Sequence, residues 1–335
     1  MVAVVAFMDA GDHARRSPTR ATSLQLAPAR ADDVRSGRPF AYPVSEGGAL
    51  VTEPQILDAA PTDGGGSLLG RVPGQAVMAE CLRAQAGVRP RSRLARVLGL
   101  SPLAEENRPW FRGALGEQEV GRRLAGLGPG WTVLHAVPVG AKDSDIDHVV
   151  IGPTGVFTLN TKNHSGQKVW VAGGTFMVNG QRQPHLRNAE HEAQRAAKLL
   201  GSAVGQPVPV RGAIVVVDPG SLTIRERPRS VGVVTSRGLL RWLTQGRDVL
   251  TPADVVEISA AVSQPGTWHR DPRPAENSRV LVTRFAALHR EERGARRVQN
   301  LWRGGLAAAV LVCLATVVPA VAQDAANAFV GALMP

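Results

Sequence analysis

Cysteine is nearly absent from the 335 residues: Cys81 and Cys313 lie far apart, with no CxxC pattern and no Cys/His neighbourhood. That excludes a disulfide framework and a thiolate zinc site. Cys313, inside an apolar run, reads as a small hydrophobe. Aromatic residues are scarce as well, 4% with a single Tyr, whereas Gly (36) and Pro (24) are plentiful. Much of the length is therefore expected to stay outside a packed core. Lysine is the third shortage. Only Lys142, Lys162, Lys168 and Lys198 occur, so of 39 basic residues 4 are lysine and 35 arginine. A lysine kept where arginine prevails points to a need for a compact, titratable ammonium. The net charge of +11 and the pI near 11.0 fit a polyanion or an anionic membrane surface. A GC-rich genome inflates Arg, Ala, Gly and Pro in the same way, so charge alone does not choose nucleic acid.

Along the chain, residues 1–75 are expected to be disordered: Arg, Ser, Pro, Asp and Gly recur without helix or strand periodicity. The opening MVAVVAF is too short, and too soon interrupted by Asp9 and Asp12, for a signal peptide. An upstream start of translation would account for part of this region. Residues 76–105 read as a basic helical linker carrying Arg83, Arg89, Arg91, Arg93 and Arg96. An α/β domain is expected over 108–264. It opens with a helix over 113–127, where Val120, Leu124 and Leu127 share a face, and a strand over 131–139 follows. Further strands are predicted over 167–181, 211–217 and 231–235, and helices over 188–204, 236–246 and 253–264. A second basic linker covers 265–303. Residues 305–322 are free of charge and follow Arg296, Arg297 and Arg303. Eighteen such residues are near the lower limit for crossing a bilayer. A buried helix is the alternative, and the uncharged terminal run favours a membrane span over 304–322 with a short tail, 323–335. The arginines then place the α/β domain in the cytoplasm, as a tail-anchored protein of the cell membrane.

The chemistry concentrates between Asp145 and His164, DIDHVVIGPTGVFTLNTKNH. Two apolar runs joined by Gly152-Pro153-Thr154-Gly155 predict a β-hairpin. Asp147 falls at the mouth of its first strand and Lys162 past the apolar part of its second, so carboxylate and ammonium should face each other. That pair suits metal-assisted phosphodiester hydrolysis, the acid holding a cation and the lysine steadying water or the phosphorane. Asp147 also fits a solvated acidic turn with Asp143 and Asp145. His148 points to the opposite strand face and receives no metal role. Asn160 shares a face with Lys162, where such sites place a second carboxylate; its carbonyl oxygen brings a ligand atom without charge. Glu117, in the predicted first helix, suits the helix dipole and is also a candidate metal ligand. Asn188, His191, Glu192 and Arg195 form one polar stripe. A solvated face explains that stripe, and a phosphate-contacting face is the sharper reading.

The segments GALGEQEVG (113–121), WTVLH (131–135), DIDHVVIGPTGVF (145–157), TKNHSG (161–166) and NAEHEAQRAA (188–197) resemble the nuclease-related domain (NERD) family in its actinobacterial form. The resemblance covers about 112–245. It implies a restriction-endonuclease-like, PD-(D/E)xK fold, a mixed β-sheet flanked by helices, and Mg²⁺- or Mn²⁺-dependent hydrolysis of DNA. Residue by residue it maps onto Glu117, Asp147 and Lys162, with Asn160 where the pattern has Glu, Asp or Gln. The expected protein is a membrane-tethered DNA endonuclease. The alternative is a nuclease fold that has lost turnover and binds nucleic acid or a protein.

Overall fold

In the computed structural model, residues 67–139, 144–269 and 277–333 are described. The expected disorder of 1–75, up to residue 66, and Lys142 and Asp143 lie outside them. Three helices come first: α1 (Gln75–Ala86), α2 (Arg93–Val97) and α3 (Arg108–Leu124). Pro109 in the first turn of α3 costs no hydrogen bond there. The strands β1 (Thr132–Pro138), β2 (Asp145–Gly152) and β3 (Gly155–Asn163) follow, then β4 (Lys168–Ala172), β5 (Thr175–Val178) and β6 (Gln181–Gln183). Helix α4 (His185–Val204) leads to β7 (Val210–Val217), β8 (Ser221–Glu226) and β9 (Val231–Thr235). Helices α5 (Leu239–Thr244), α6 (Pro252–Ser263), α7 (Pro265–Trp268) and α8 (Ser278–Leu333) complete the chain.

The result is a mixed α/β fold with two sheets flanked by helices. The main sheet has the order β1-β2-β3-β7-β9, antiparallel up to β3 and parallel beyond. A smaller sheet, β6-β5-β4-β8, lies beside it. In β7 every residue from Gly212 to Val217 is buried, the pattern of a central parallel strand covered on both faces. Val215 and Val217 join Val120 and Leu124 of α3 on one side; Ile214 and Val216 join Leu186 and Ala189 of α4 on the other. Each such Val, Ile or Leu contributes about 1.5–3 kcal/mol. Gly212 lets α4 approach: a Cβ there would stand 2.7 Å from the Ala189 carbonyl oxygen. Strand β8 escaped the sequence reading because Thr223, Ile224, Arg225 and Glu226 are all exposed, so no apolar alternation marks it.

Helix α1, within the segment read as a linker, buries Met78 and Cys81 completely against Phe111 of α3 and Leu281 and Phe285 of α8. The α2 turn grips α8 farther along. Trp302 Nε1 donates to the Val97 carbonyl at 2.7 Å, and Arg91 pairs with Glu291 at 2.7 Å. Gly99 sits between them at φ +69, and a Cβ there would lie 2.5 Å from the Gln299 backbone nitrogen. Gly99→Ala is expected to destabilise the protein by ~2 kcal/mol or more, through left-handed strain plus the collision with α8. Thermal unfolding of the full chain checks this, and an unchanged midpoint would show that the α2 turn is not seated on α8.

Beyond that grip α8 leaves the protein. Residues 301–327 are all exposed, and the helix contains an 18-residue window of hydropathy 2.4 with none of it buried. Among the described residues it is the one helix long and apolar enough to cross a membrane.

Candidate active site

The site forms where β2 and β3 part. Their ladder runs from Gly152↔Gly155 to His148↔Leu159 and stops. Before His148, β2 pairs only with β1; after Leu159, β3 pairs only with β7, out to Asn163↔Val217. Asp147 fills the notch. Its Oδ2 accepts from the Thr161 backbone N–H at 2.6 Å, replacing the ladder bond that β2 no longer supplies. On β1 the chain buckles at the same level: Ala136 has φ +47, and the register passes from His135↔His148 to Val137↔Ile146. Strain of this kind persists only where the surroundings enforce it, and it gathers at functional sites.

Lys162 is the electrostatic centre. Its ammonium lowers the pKa of Glu117, Asp145, Asp147 and Glu192 alike, so four carboxyls from three elements share one cation. The cation does not compensate them. Burial, followed by the Asp147 charge, pushes Glu117 well above the usual carboxylate range. The same two causes bring Asp145 to about 7 and Glu192 to about 8. Burial raises Asp147 too, against the opposing pull of Lys162 and the Thr161 N–H. Glu117 reaches the notch from α3, whose Gly116 packs on Thr161 and Asn163. Glu192 arrives from α4, and Asn160 Nδ2 donates to its Oε2 at 3.3 Å.

Four buried acceptors here have no donor: Glu117 Oε2, Asp145 Oδ2, Asn160 Oδ1 and Glu192 Oε1. Orphaned oxygens among mutually repelling carboxyls are the donor set a hard divalent cation prefers. Among the described residues, no three His, Cys, Asp or Glu side chains already meet as a metal-holding group. Mg²⁺ does not require that, since it commonly binds through one or two carboxylates and keeps several waters. The residues therefore fit such an ion.

Glu117, Asp147, Asn160 and Lys162, all singled out in the sequence, come together at this notch. Glu192 is the residue that the sequence reading left on a solvated stripe; its side chain is half-buried and bonded to Asn160. Arg71, whose buried guanidinium acts on Asp145, gave no signal because its neighbours carry no periodicity. His164 and His185 stack at 5.7 Å between ring centroids; burial, with Lys162 adding to it, lowers the His185 pKa to about 3 and lowers that of His164 against the opposing hydrogen bond with Gln167. His148 is fully buried and faces His135 with their Nδ1 atoms 2.9 Å apart, away from the notch.

Residues 112–217 match the nuclease-related domain family. This segment is a NERD domain. An uncharacterized protein of Bacillus anthracis is 30% identical over 125 residues, 35% of this chain and 58% of that protein. The chain thus spans a little over half the length of that relative. No solved structure matches the chain significantly. The NERD segment holds every carboxyl of the notch together with Lys162, running from α3 to β7.

The raised carboxyls give the NERD domain a pH signature. Glu192 moves from 4.5 to about 8 and Asp145 from 3.8 to about 7 on folding, so the folded state holds these protons more tightly. Their contribution to stability is present below about pH 4 and is lost as pH rises through about 8. In chelator, the gap in thermal midpoint between Glu192→Gln and the native chain should widen in the variant's favour over that interval. A gap independent of pH would contradict the buried, repelling cluster.

Proposed function

We propose that this protein is a divalent-cation-dependent nuclease, held at a membrane by α8, that hydrolyses phosphodiester bonds of DNA. The observation that carries the reading is the single Lys162 ammonium acting on Glu117, Asp145, Asp147 and Glu192 at the split between β2 and β3. Asp147 and Glu192, with the Asn160 carbonyl oxygen, would hold Mg²⁺ or Mn²⁺, and Glu117 would complete the set directly or through water. Such a cation supplies Lewis-acid charge stabilisation at phosphorus. Lys162 orients the attacking water and neutralises charge on the non-bridging oxygens as the new P–O bond forms. The bridging ester bond breaks on the far side, and the proton that the attacking water gives up to solvent is balanced by the one the leaving oxygen takes from it.

Purified full chain in detergent, with Mg²⁺ or Mn²⁺, should cut plasmid or single-stranded DNA and lose that activity in chelator. Absence of cleavage under both metals would overturn the reading. Salt-sensitive DNA binding without cleavage would identify the alternative, a nuclease fold that only binds.

The tether rests on the uncharged run after Arg303 and its complete exposure. Arg296, Arg297 and Arg303 keep the NERD domain on the cytoplasmic side. The full chain should resist extraction of membranes by alkaline carbonate, and a chain ending at Arg303 should not. Extraction of the full chain would refute the span.

A further inference from the structure

Away from the notch, a second site lies where α8 leaves the folded domain. A cavity of ≈ 370 Å³ is lined by Arg108 and Arg112 of α3 and by Arg296 and Arg303 of α8, with Glu292 as its one carboxylate. Glu292 is already committed: it accepts from Ser101 Oγ at 2.6 Å and from Arg296 Nε at 2.8 Å. Among the described residues no hydrogen bond or ion pair engages the guanidinium groups of Arg108, Arg112 and Arg303. Three guanidinium groups without a protein partner around one cavity are suited to an anion, and the planar fork of arginine matches phosphate oxygens two at a time.

The position of the cavity says which phosphate. Arg303 is the last charged residue before the uncharged stretch that ends at Asp324. From Arg296 to Arg303 the helix rises about 10 Å. The headgroup layer on each side of a bilayer is roughly 5–8 Å thick. With the apolar stretch in the hydrocarbon, Arg303 sits at the headgroup boundary and the cavity opens into that layer. We infer that this arginine-lined cavity, resting on the reading of α8 as a membrane span, binds the phosphate headgroup of an anionic phospholipid. A free phosphate or a nucleic-acid backbone offers the same oxygens, but neither is brought to the cavity by the helix itself. Because the Arg112 carbonyl also accepts from Asn163 Nδ2 at 2.8 Å, a seated lipid would brace α3 five residues ahead of Glu117.

The test uses full-length protein in neutral detergent, titrated with short-chain phosphatidylglycerol or phosphatidylcholine and followed by native mass spectrometry and thermal unfolding. Phosphatidylglycerol should bind and raise the midpoint, and phosphatidylcholine should not. Arg112→Gln with Arg303→Gln should weaken phosphatidylglycerol about 25-fold, about fivefold for each arginine. Arg247→Gln, an exposed arginine of the α5–α6 loop, should change nothing. Equal binding of the two lipids overturns the inference, as does undiminished binding by the double variant. Inorganic phosphate that competes as well as the lipid headgroup also overturns it, by showing a free-anion site. So does a double variant that loses affinity for duplex DNA while keeping the lipid. Competition on the native chain needs no variant, so a poorly folding variant leaves the test intact. Carbonate extraction separates the two readings: loss of the span removes both, whereas an integral protein indifferent to headgroup removes only this one.

Discussion

Lys162→Ala should lower DNA cleavage by about 10²–10³-fold while the protein remains folded and membrane-bound. Lys162 is the one cation that acts on Glu117, Asp147 and Glu192 together. Removing it leaves developing charge on the phosphorane without its point-charge partner. It also leaves four carboxyls facing each other, so their proton affinities should rise further and apparent Mg²⁺ affinity should shift to higher pH. Lys162→Arg keeps the charge but spreads it over a planar fork that does not fit the position of an ammonium, so it should rescue only partly. Cleavage kinetics on plasmid across a pH series would read both effects. If Lys162→Ala cuts at the native rate, the nuclease reading fails at its central residue.

The hairpin that brings these groups together was legible because its signals are local. Gly152-Pro153-Thr154-Gly155 makes the turn, the apolar runs make the strands, and period-two alternation puts Asn160 and Lys162 on one face. What spacing alone could not show is that β2 and β3 separate just where the carboxylates begin. Strand β3 stays paired with β7 along its whole length, from Val156↔Val210 to Asn163↔Val217. The split therefore lies on the β2 side, where β2 follows β1 and α3 seats Gly116 against Thr161 and Asn163, a matter of tertiary packing. The same packing conceals Glu192. On a helical wheel it belongs to the polar stripe with His191 and Arg195, and only the close seat of α4 on Gly212 carries it to Asn160. Arg71 is hidden for a similar reason, reaching Asp145 from a segment without periodicity. Long-range partners of buried charge are the part of such a site that local pattern does not encode. The C-terminal helix shows the opposite case: hydropathy marked its apolar half, while Phe285 and Leu288, spaced for helix packing against α1 and α3, lay in a stretch dominated by arginine.

Glu192→Gln should cost at least about 10–100-fold in cleavage or in Mg²⁺ affinity, and Asn160→Asp in the same chain should recover part of that loss. Asn160 stands where the family pattern has an acid or Gln, and by itself it argues for a spent enzyme. Its amide, however, donates to Glu192 Oε2, and in the proposed site the second carboxylate comes from α4. Asn160→Asp alone replaces that donor with a second negative charge against Glu192. Like charges that close cannot both ionise, so the single variant should be less stable in chelator and no more active than the native chain. With Glu192→Gln present, the pair is reversed: the glutamine amide donates to the new aspartate and the number of carboxylates is restored. A coupling of about 1–3 kcal/mol in the double-mutant cycle is then expected. Additive losses would show that Glu192 and Asn160 do not act as one ligand pair. Asn160→Asp raising cleavage above the native level would show that the native site lacks a carboxylate that α4 does not provide, and would return Asn160 to the role of an inactivating replacement.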